Sequence, residues 1–443
     1  MRRMKMIVDQ IDALLEMNKK MEERLIHIED KVDRIRNSAV KLIDSENIYN
    51  SYKEITDKYD FGIIGMWYTH NYGASLTSYA MYRLVEKMGY KPLLLDVPEI
   101  GNNNFEQKDD SFDRAFMKKN CHISGGITIK SNSIYASGCK AFIVGSDSMF
   151  GGGYEYQIDK LKGFVLGEFA YGKKPIMSFS TSFGGWTGED NEFNKRKLFS
   201  LLLKEFVHVS FREERSVDMC KELFDVDGSW TLDPVFLIDK KEYENISAKN
   251  LHVESAYVLV YLLKITNEKL DLLEKLRENW GKHIIIVTPE NVDFSQYISI
   301  SEEMTVVSGI SIEDWLAYFS KADYIVTDSY HGMCFSIIFN KQFIALSPRD
   351  GFVRFSELAR YLGIEEKVGI GSWDKLVSCI SSDIDYGLIN SIIKSKKKND
   401  IDELENSLKN TINRKIVGSE EKRTLYDEIR RKILLEEIVR ILS

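Results

Sequence analysis

The sequence predicts an α/β protein of two Rossmann-like domains facing a cleft, with an N-terminal coiled-coil helix and a C-terminal helical extension. Three observations carry this. Short β-branched runs alternate with segments of helical period twice over, from Phe61 to Phe236 and again from Ala256 to Leu346, with a break near residues 240–254. Polar residues gather directly after the strand runs, where a parallel sheet opens into a ligand crevice. A heptad seam stands ahead of the first strand. The boundaries that follow are 1–58 for coiled coil and linker, 59–245 and 246–392 for the two domains, and 393–443 for the terminal helices.

The chain has 443 residues, enough for two domains with appendages. Its 44% hydrophobic and 29% charged content is that of an ordinary globular protein. A formal charge of -8 leaves no excess of cations to neutralise phosphates, so nucleic acid is not an expected partner. Cys121, Cys139, Cys220, Cys334 and Cys379 form no C-x-x-C pair; an odd, scattered set argues against a disulfide framework and fits a reducing cytoplasm. The charged N-terminus lacks an apolar h-region, and no apolar run reaches the ~18 to 20 residues that span a bilayer. A cytoplasmic location is expected, touching the inner face of the membrane only through a partner or lipid-linked substrate.

The seam places Met4, Ile11, Asn18, Leu25, Val32 and Ala39 at position a, and Ile7, Leu14, Met21, Ile28, Ile35 and Leu42 at d. A narrow apolar stripe of this length is buried only against another helix, most simply that of a second copy. Asn18, the one polar core residue, favours a parallel in-register dimer, while Leu25 at a beside Ile28 at d pulls toward higher order. A homo-oligomer through residues 4–42, with dimer favoured, is the expectation.

The first domain opens with a buried strand, Phe61 to Met66, followed by a turn at Asn71-Tyr72-Gly73-Ala74 and a helical pattern through Leu76, Tyr79, Ala80 and Leu84. Gly73 lets the backbone approach a ligand at a helix start that favours negative charge, although an Asn-capped turn reads as well. Pro92 to Asp96 makes a second strand and hence a βαβ unit. Residues 101–133 read as an insertion with helical pieces. The strand Ala141–Val144 ends in Gly145-Ser146-Asp147, then Gly151 to Gly153; Ile176–Ser180 runs into Thr181-Ser182-Phe183-Gly184; Val207–Phe211 ends in Arg212-Glu213. An arginine where a parallel strand gives out is a candidate for carboxylate or phosphate, its planar fork binding either bidentately; a surface ion pair with Glu213 or Glu214 is the plainer alternative. Leu232 to Phe236 closes this half.

The second half restarts with a strand at Ala256–Leu263, a helix at Leu270–Trp280, a strand at His283–Val287 and a helix at Ile312–Phe319. It then reaches the stretch with the most chemistry, Tyr324-Ile325-Val326-Thr327-Asp328-Ser329-Tyr330-His331-Gly332. Here a buried strand meets a helix start, and Asp328, Ser329 and His331 stand at the junction. A simple capped helix accounts for the same residues. Phe343–Leu346 is a further strand, followed by Arg349 and Arg354 in a polar loop, and beyond Ile392 the chain turns lysine-rich and helical.

Six pieces in this order resemble the polysaccharide pyruvyl transferase family: Asn71 to Ala74, Gly145 to Asp147, Ser182 to Gly184, Ser210 to Glu213, Leu232 to Pro234, and Thr327 to Gly332, spanning roughly residues 61–387. The resemblance implies a glycosyltransferase-B-like pair of domains. It also implies transfer of the enolpyruvyl group of phosphoenolpyruvate onto two hydroxyls of a sugar, giving a pyruvate ketal and phosphate. Partners would be phosphoenolpyruvate and a sugar, glycolipid or polysaccharide acceptor of the bacterial surface. Phosphoenolpyruvate is then a substrate, and no cofactor or metal is expected.

Carried over by position, His331 is the donor-site histidine, as phosphate ligand or acid/base, and Arg212 takes the donor's negative charges. Asn71, Gly73, Ser146, Asp147, Ser182, Glu213, Asp328 and Ser329 are candidate substrate contacts. This chain departs from better-understood branches in carrying Ser329 where they place an arginine; Arg349, Arg354 or Lys341 are candidates to replace that cation. A nucleotide-sugar-dependent glycosyltransferase and a non-catalytic coiled-coil scaffold are the competing readings.

Overall fold

A computed structural model describes residues 58–96, 98–99, 111–124, 127–128, 138–161, 163–190, 192–249, 251, 256–264, 266–288, 304–346, 352–416 and 420–442, together with 19–20. The heptad seam of residues 4–42, with its expected dimer, lies outside the described residues apart from Lys19 and Lys20, and so does Arg349.

Two parallel sheets carry the fold. In the first, β1 (Tyr59–Ile64), β2 (Pro92–Leu94), β5 (Cys139–Val144) and β6 (Ile176–Ser178) lie in the order β2-β1-β5-β6. Single parallel bridges from Asp147 to Thr181 and from Thr181 to Phe211 carry the pairing on to β7 (Ser210–Phe211), which pairs with β8 (Ser229–Trp230). β3 (Pro98–Glu99) and β4 (Ile127–Thr128) form a separate parallel pair. The second sheet holds β9 (Tyr257–Tyr261), β10 (His283–Thr288), β11 (Met304–Ser308), β12 (Tyr324–Thr327), β13 (Gln342–Leu346) and β14 (Val368–Ile370) in the order β11-β10-β9-β12-β13-β14. Counted within that half this is 3-2-1-4-5-6, the doubly wound order, which reverses between β9 and β12 and so opens a crevice at their carboxyl ends. Central strands such as Tyr257–Tyr261 are buried at every residue, as strands with helices on both faces must be.

The halves are joined by packing. The ring of Tyr72, first residue of helix Tyr72–Lys87, stacks between Phe112 at 4.4 Å and Trp315 at 5.6 Å, and its hydroxyl donates to the Ile310 carbonyl at 3.1 Å. One hydrophobic core runs from Phe61 and Ile63 of the first sheet to Tyr257, Leu259 and Ile325 of the second.

Leu232 to Phe236 ends as a 3-10 turn, Pro234–Phe236, capped by the Asp233 side chain through Val235 N–H. Two expectations are corrected. Arg354 sits on helix Phe352–Leu362 rather than in a loop; Phe355, Leu358, Ala359 and Leu362 are buried at helical spacing along it. The C-terminal helices begin at Tyr386, ahead of residue 393. Helix Tyr386–Ile412 returns to the first half, where Asp400 accepts from Leu232 N–H at 2.8 Å. Helix Glu420–Leu442 packs there on helix Phe193–Leu203, burying Tyr426, Ile429 and Ile433 and pairing Arg430 with the buried carboxylate of Glu168. No described helix is long and apolar enough to cross a membrane.

Candidate functional site

The strand ends deliver charged groups to one place. Arg212 follows β7, and its enclosed guanidinium meets three carboxylates: Nη1 donates to Asp233 at 2.7 Å, Nη2 to Asp147 at 2.8 Å and Nε to Glu213 at 3.3 Å. The Tyr330 ring lies 4.7 Å from its central carbon. Burial alone would favour a neutral arginine, but Asp147, Asp233 and Glu213 hold it charged, well above its usual range. The acids respond in two ways. Burial opposes ionisation of Asp147, yet Arg212, His331 and Arg354 bring it below the ordinary carboxylate range. Asp233 is likewise held low, by His331, Arg212 and the Thr77 hydroxyl at 2.6 Å, against its burial. For Glu213 burial wins and its carboxyl is pushed up, despite Arg212, Arg354, Ser182 and Ser216.

Asp147 reaches Arg212 from a left-handed backbone, φ +89°, which few non-glycine residues adopt. Such strain persists only where the surroundings impose it; here the amide of Ser148 and the Arg212 fork both hold the carboxylate.

His331 enters from the second half on helix Tyr330–Ile338. Its ring packs on Gly73, where a Cβ would lie 2.3 Å from Cγ and Nδ1. Nε2 is buried in ion-pair range of Asp233 Oδ2, at 3.5 Å, and makes no hydrogen bond to any described residue. Arg354 comes from the same half: Nη1 donates to Ser148 Oγ at 3.1 Å, while Nε is buried with no hydrogen bond to any described residue. Burial, with Arg212 alongside, lowers its pKa.

The predicted residues thus divide. Arg212, Asp147, Glu213, His331, Arg354 and Gly73 converge, and Ser146 joins them 3.4 Å from Asp233 while donating to Ser180 O at 2.6 Å. Others serve the backbone. Asn71 caps its helix through Gly73 and Ala74 N–H, Ser329 caps helix Tyr330–Ile338 through Gly332 N–H, and Ser182 accepts from Gly184 N–H while also bonding the Glu213 carboxylate. Asp328 spends both oxygens on Leu263 N–H, Lys264 N–H and the Lys269 ammonium, fastening the end of β9 to that of β12. Lys341 stands at the amino end of β13, near Asp323 and Lys240, and so at the wrong end of the sheet. Asp233, the hub of the cluster, was missed as a site residue. Its signal was the carboxylate within Leu-Asp-Pro, but nothing local announced its partners. Tyr330, Ser148 and Thr77 carried no signal of their own.

The model of the polysaccharide pyruvyl transferase family matches residues 71–350, from the Asn71 cap through the Thr327 to Gly332 stretch. The chain belongs to the polysaccharide pyruvyl transferase family. Comparison with curated proteins finds no sequence match. Among solved structures, S. aureus MnaA with UDP is similar at a TM-score of 0.50 and 10% identity, over 81% of this chain and 99% of that one. A putative UDP-N-acetylglucosamine 2-epimerase from Listeria monocytogenes gives 0.49 and 10%, over 85% and 95%. The wall teichoic acid polymerase TagF gives 0.43 and 12%, over 93% and 99%. The likeness to MnaA shows fold alone: this pyruvyl transferase family member is an α/β protein with parallel sheets.

Proposed function

We propose that the protein transfers the enolpyruvyl group of phosphoenolpyruvate to two hydroxyls of one sugar, forming a cyclic ketal and releasing phosphate, in the synthesis of a bacterial surface polysaccharide. The observation that carries this is a pair of buried nitrogens that make no hydrogen bond to any described residue, Arg354 Nε and His331 Nε2, the latter in ion-pair range of Asp233 at 3.5 Å. A buried donor left unpaired costs about 1 to 3 kcal/mol. An anionic donor substrate would satisfy both.

In the reaction a sugar hydroxyl adds to C2 of the enol phosphate, giving up its proton as one is delivered to the methylene carbon. The C2–O bond to phosphate then breaks, and the second hydroxyl closes the ring, giving up its proton. His331 is assigned the proton transfer, a role worth roughly 100- to 10,000-fold. Arg354 is assigned the donor's phosphate or carboxylate, in place of the cation absent at Ser329. Arg212 was expected to bind the donor itself, but its fork is engaged by three acids, so its role becomes holding Asp147 and Asp233 ionised and in place. The acceptor is a sugar, glycolipid or polysaccharide, taken up in the cleft between the two halves by a homo-oligomer joined through residues 4–42.

Thermal unfolding with millimolar phosphoenolpyruvate, against UDP and GDP, tests the reading. A ligand at about a hundred times its Kd stabilises by roughly 2.7 kcal/mol. Stabilisation by phosphoenolpyruvate alone, reduced but still measurable in Arg354→Ala, is expected. A response only to nucleotides would overturn it in favour of a nucleotide-sugar glycosyltransferase, and no response to either would favour a scaffold.

A further inference from the structure

Helix Phe352–Leu362 belongs to the second half, yet three side chains spaced three residues apart along it reach the first. Arg354 donates to Ser148, as described. Glu357 Oε2 accepts from the Glu214 N–H at 2.6 Å and Oε1 from the Arg215 N–H at 3.2 Å. Arg360 Nη2 donates to the Glu214 carboxylate at 2.6 Å.

The Glu214 and Arg215 amides open helix Glu214–Phe224, which directly follows Arg212 and Glu213. Amides in a first helical turn have no partner within the helix and need an acceptor. The residue at the cap position, Glu213, does not supply one: its carboxylate turns inward to Arg212 and Ser216. A carboxylate from the opposite half caps the helix instead, where the helix dipole favours negative charge. The helix that carries Arg354 is therefore fastened to the start of the helix that directly follows Arg212 and Glu213. It lies beyond residue 350, outside the span that the family model matches.

We propose that Glu357 is a positioning residue for the pyruvyl donor: by capping helix Glu214–Phe224 across the two halves, it fixes the Phe352–Leu362 helix so that Arg354 is held beside Tyr330 and Asp147 with its Nε free for the donor anion. This rests on the donor reading above. Glu357 itself touches no substrate and acts through Arg354.

The test is a double-mutant cycle on the full chain, reading phosphoenolpyruvate affinity by calorimetry, with amide hydrogen exchange as a second measurement that needs no ligand. Glu357→Ala is expected to weaken binding about tenfold, within the range of a carboxylate on a partly buried helix start. Glu357→Gln, which keeps an acceptor but not the charge, should recover part of that loss. In an Arg354→Ala background, Glu357→Ala should cost nothing further, because its effect passes through the missing guanidinium. Exchange at the Glu214 and Arg215 amides should quicken in Glu357→Ala while other helices keep their protection.

Equal losses with and without Arg354, or undiminished affinity in Glu357→Ala, would overturn the positioning role. Unchanged exchange at both amides would overturn the clamp itself. If the wild type binds no phosphoenolpyruvate, the donor reading fails, and the positioning role with it; quickened exchange in Glu357→Ala would then leave the clamp standing as a structural contact alone.

Discussion

The imidazole of His331 and the backbone of Gly73 occupy adjoining space with no room for a methyl group between them, since a Cβ on Gly73 would lie 2.3 Å from Cγ and Nδ1. Gly73 is not in the left-handed region, so the demand is for space and not for an unusual backbone. Within a helix, alanine is ordinarily favoured over glycine by roughly 1 kcal/mol. Gly73→Ala should reverse that sign, losing about 1 to 3 kcal/mol through overpacking and displacing the ring. Urea unfolding measures the first effect, and phosphate release from phosphoenolpyruvate, expected to fall at least tenfold, the second. A variant as stable and active as the wild type would show that His331 does not need its present position.

Asp233 should be the least replaceable of the acids. It alone serves Arg212, Thr77 and Val235 N–H at once, with His331 close by, and its side chain is entirely enclosed. Removing one partner of a buried ion pair typically costs about 3 to 5 kcal/mol. Asp233→Asn is expected to lose stability on that scale in chemical denaturation; a loss below about 1 kcal/mol would mean that Asp147 and Glu213 suffice for Arg212.

The two buried acids beside Arg212 should give opposite pH slopes. Asp233 titrates lower in the folded protein than its ordinary 3.8, so its contribution is complete above that value and is lost as pH falls through the folded pKa. The stability gap between wild type and Asp233→Asn should be flat from about pH 5 upward and narrow below about pH 4. Glu213 is raised above its ordinary 4.5, so its contribution is present below that value and lost as pH rises through the folded pKa. The stability gap between wild type and Glu213→Gln should accordingly fall with pH above about 4.5. Unfolding free energies across pH 3 to 8 check both; slopes of the same sign would refute the assignment.

The core strands were legible because a strand buried on both faces must be apolar throughout, as Tyr257–Tyr261 and Ala141–Val144 are. β11 escaped notice as an edge strand whose Thr305 and Ser308 are open to solvent, and β8 as a pair of residues. Helix Phe352–Leu362 was overlooked although Phe355, Leu358, Ala359 and Leu362 spell its buried face. The site was legible only as a set of strand ends. Which acid meets Arg212 is decided by sheet order, and Asp147 and Asp233 are 65 and 21 residues away in sequence. Spacing cannot express such pairings. It could not show that Asp328 belongs to Lys269, nor that Arg354 reaches Ser148 across 206 residues.

Tyr72 makes a prediction about the whole molecule. Two Rossmann-like halves joined by a small polar contact would unfold separately and move freely. Here the Tyr72 ring lies between Phe112 of the first half and Trp315 of the second, and its hydroxyl reaches the Ile310 carbonyl just ahead of the Trp315 helix. The surrounding core is continuous across both sheets. Calorimetry should therefore show the described halves melting in one transition. Tyr72→Phe removes one hydrogen bond, worth about 0.5 to 1.5 kcal/mol, and should leave that transition single. Tyr72→Ala empties the stack between the halves and should cost about 3 to 5 kcal/mol. Because the lost contacts belong to both halves, the transition should also broaden or split. Two resolved transitions in the wild type would show instead that the shared core does not couple the halves, and a single sharp transition in Tyr72→Ala that the coupling lies elsewhere than at this ring.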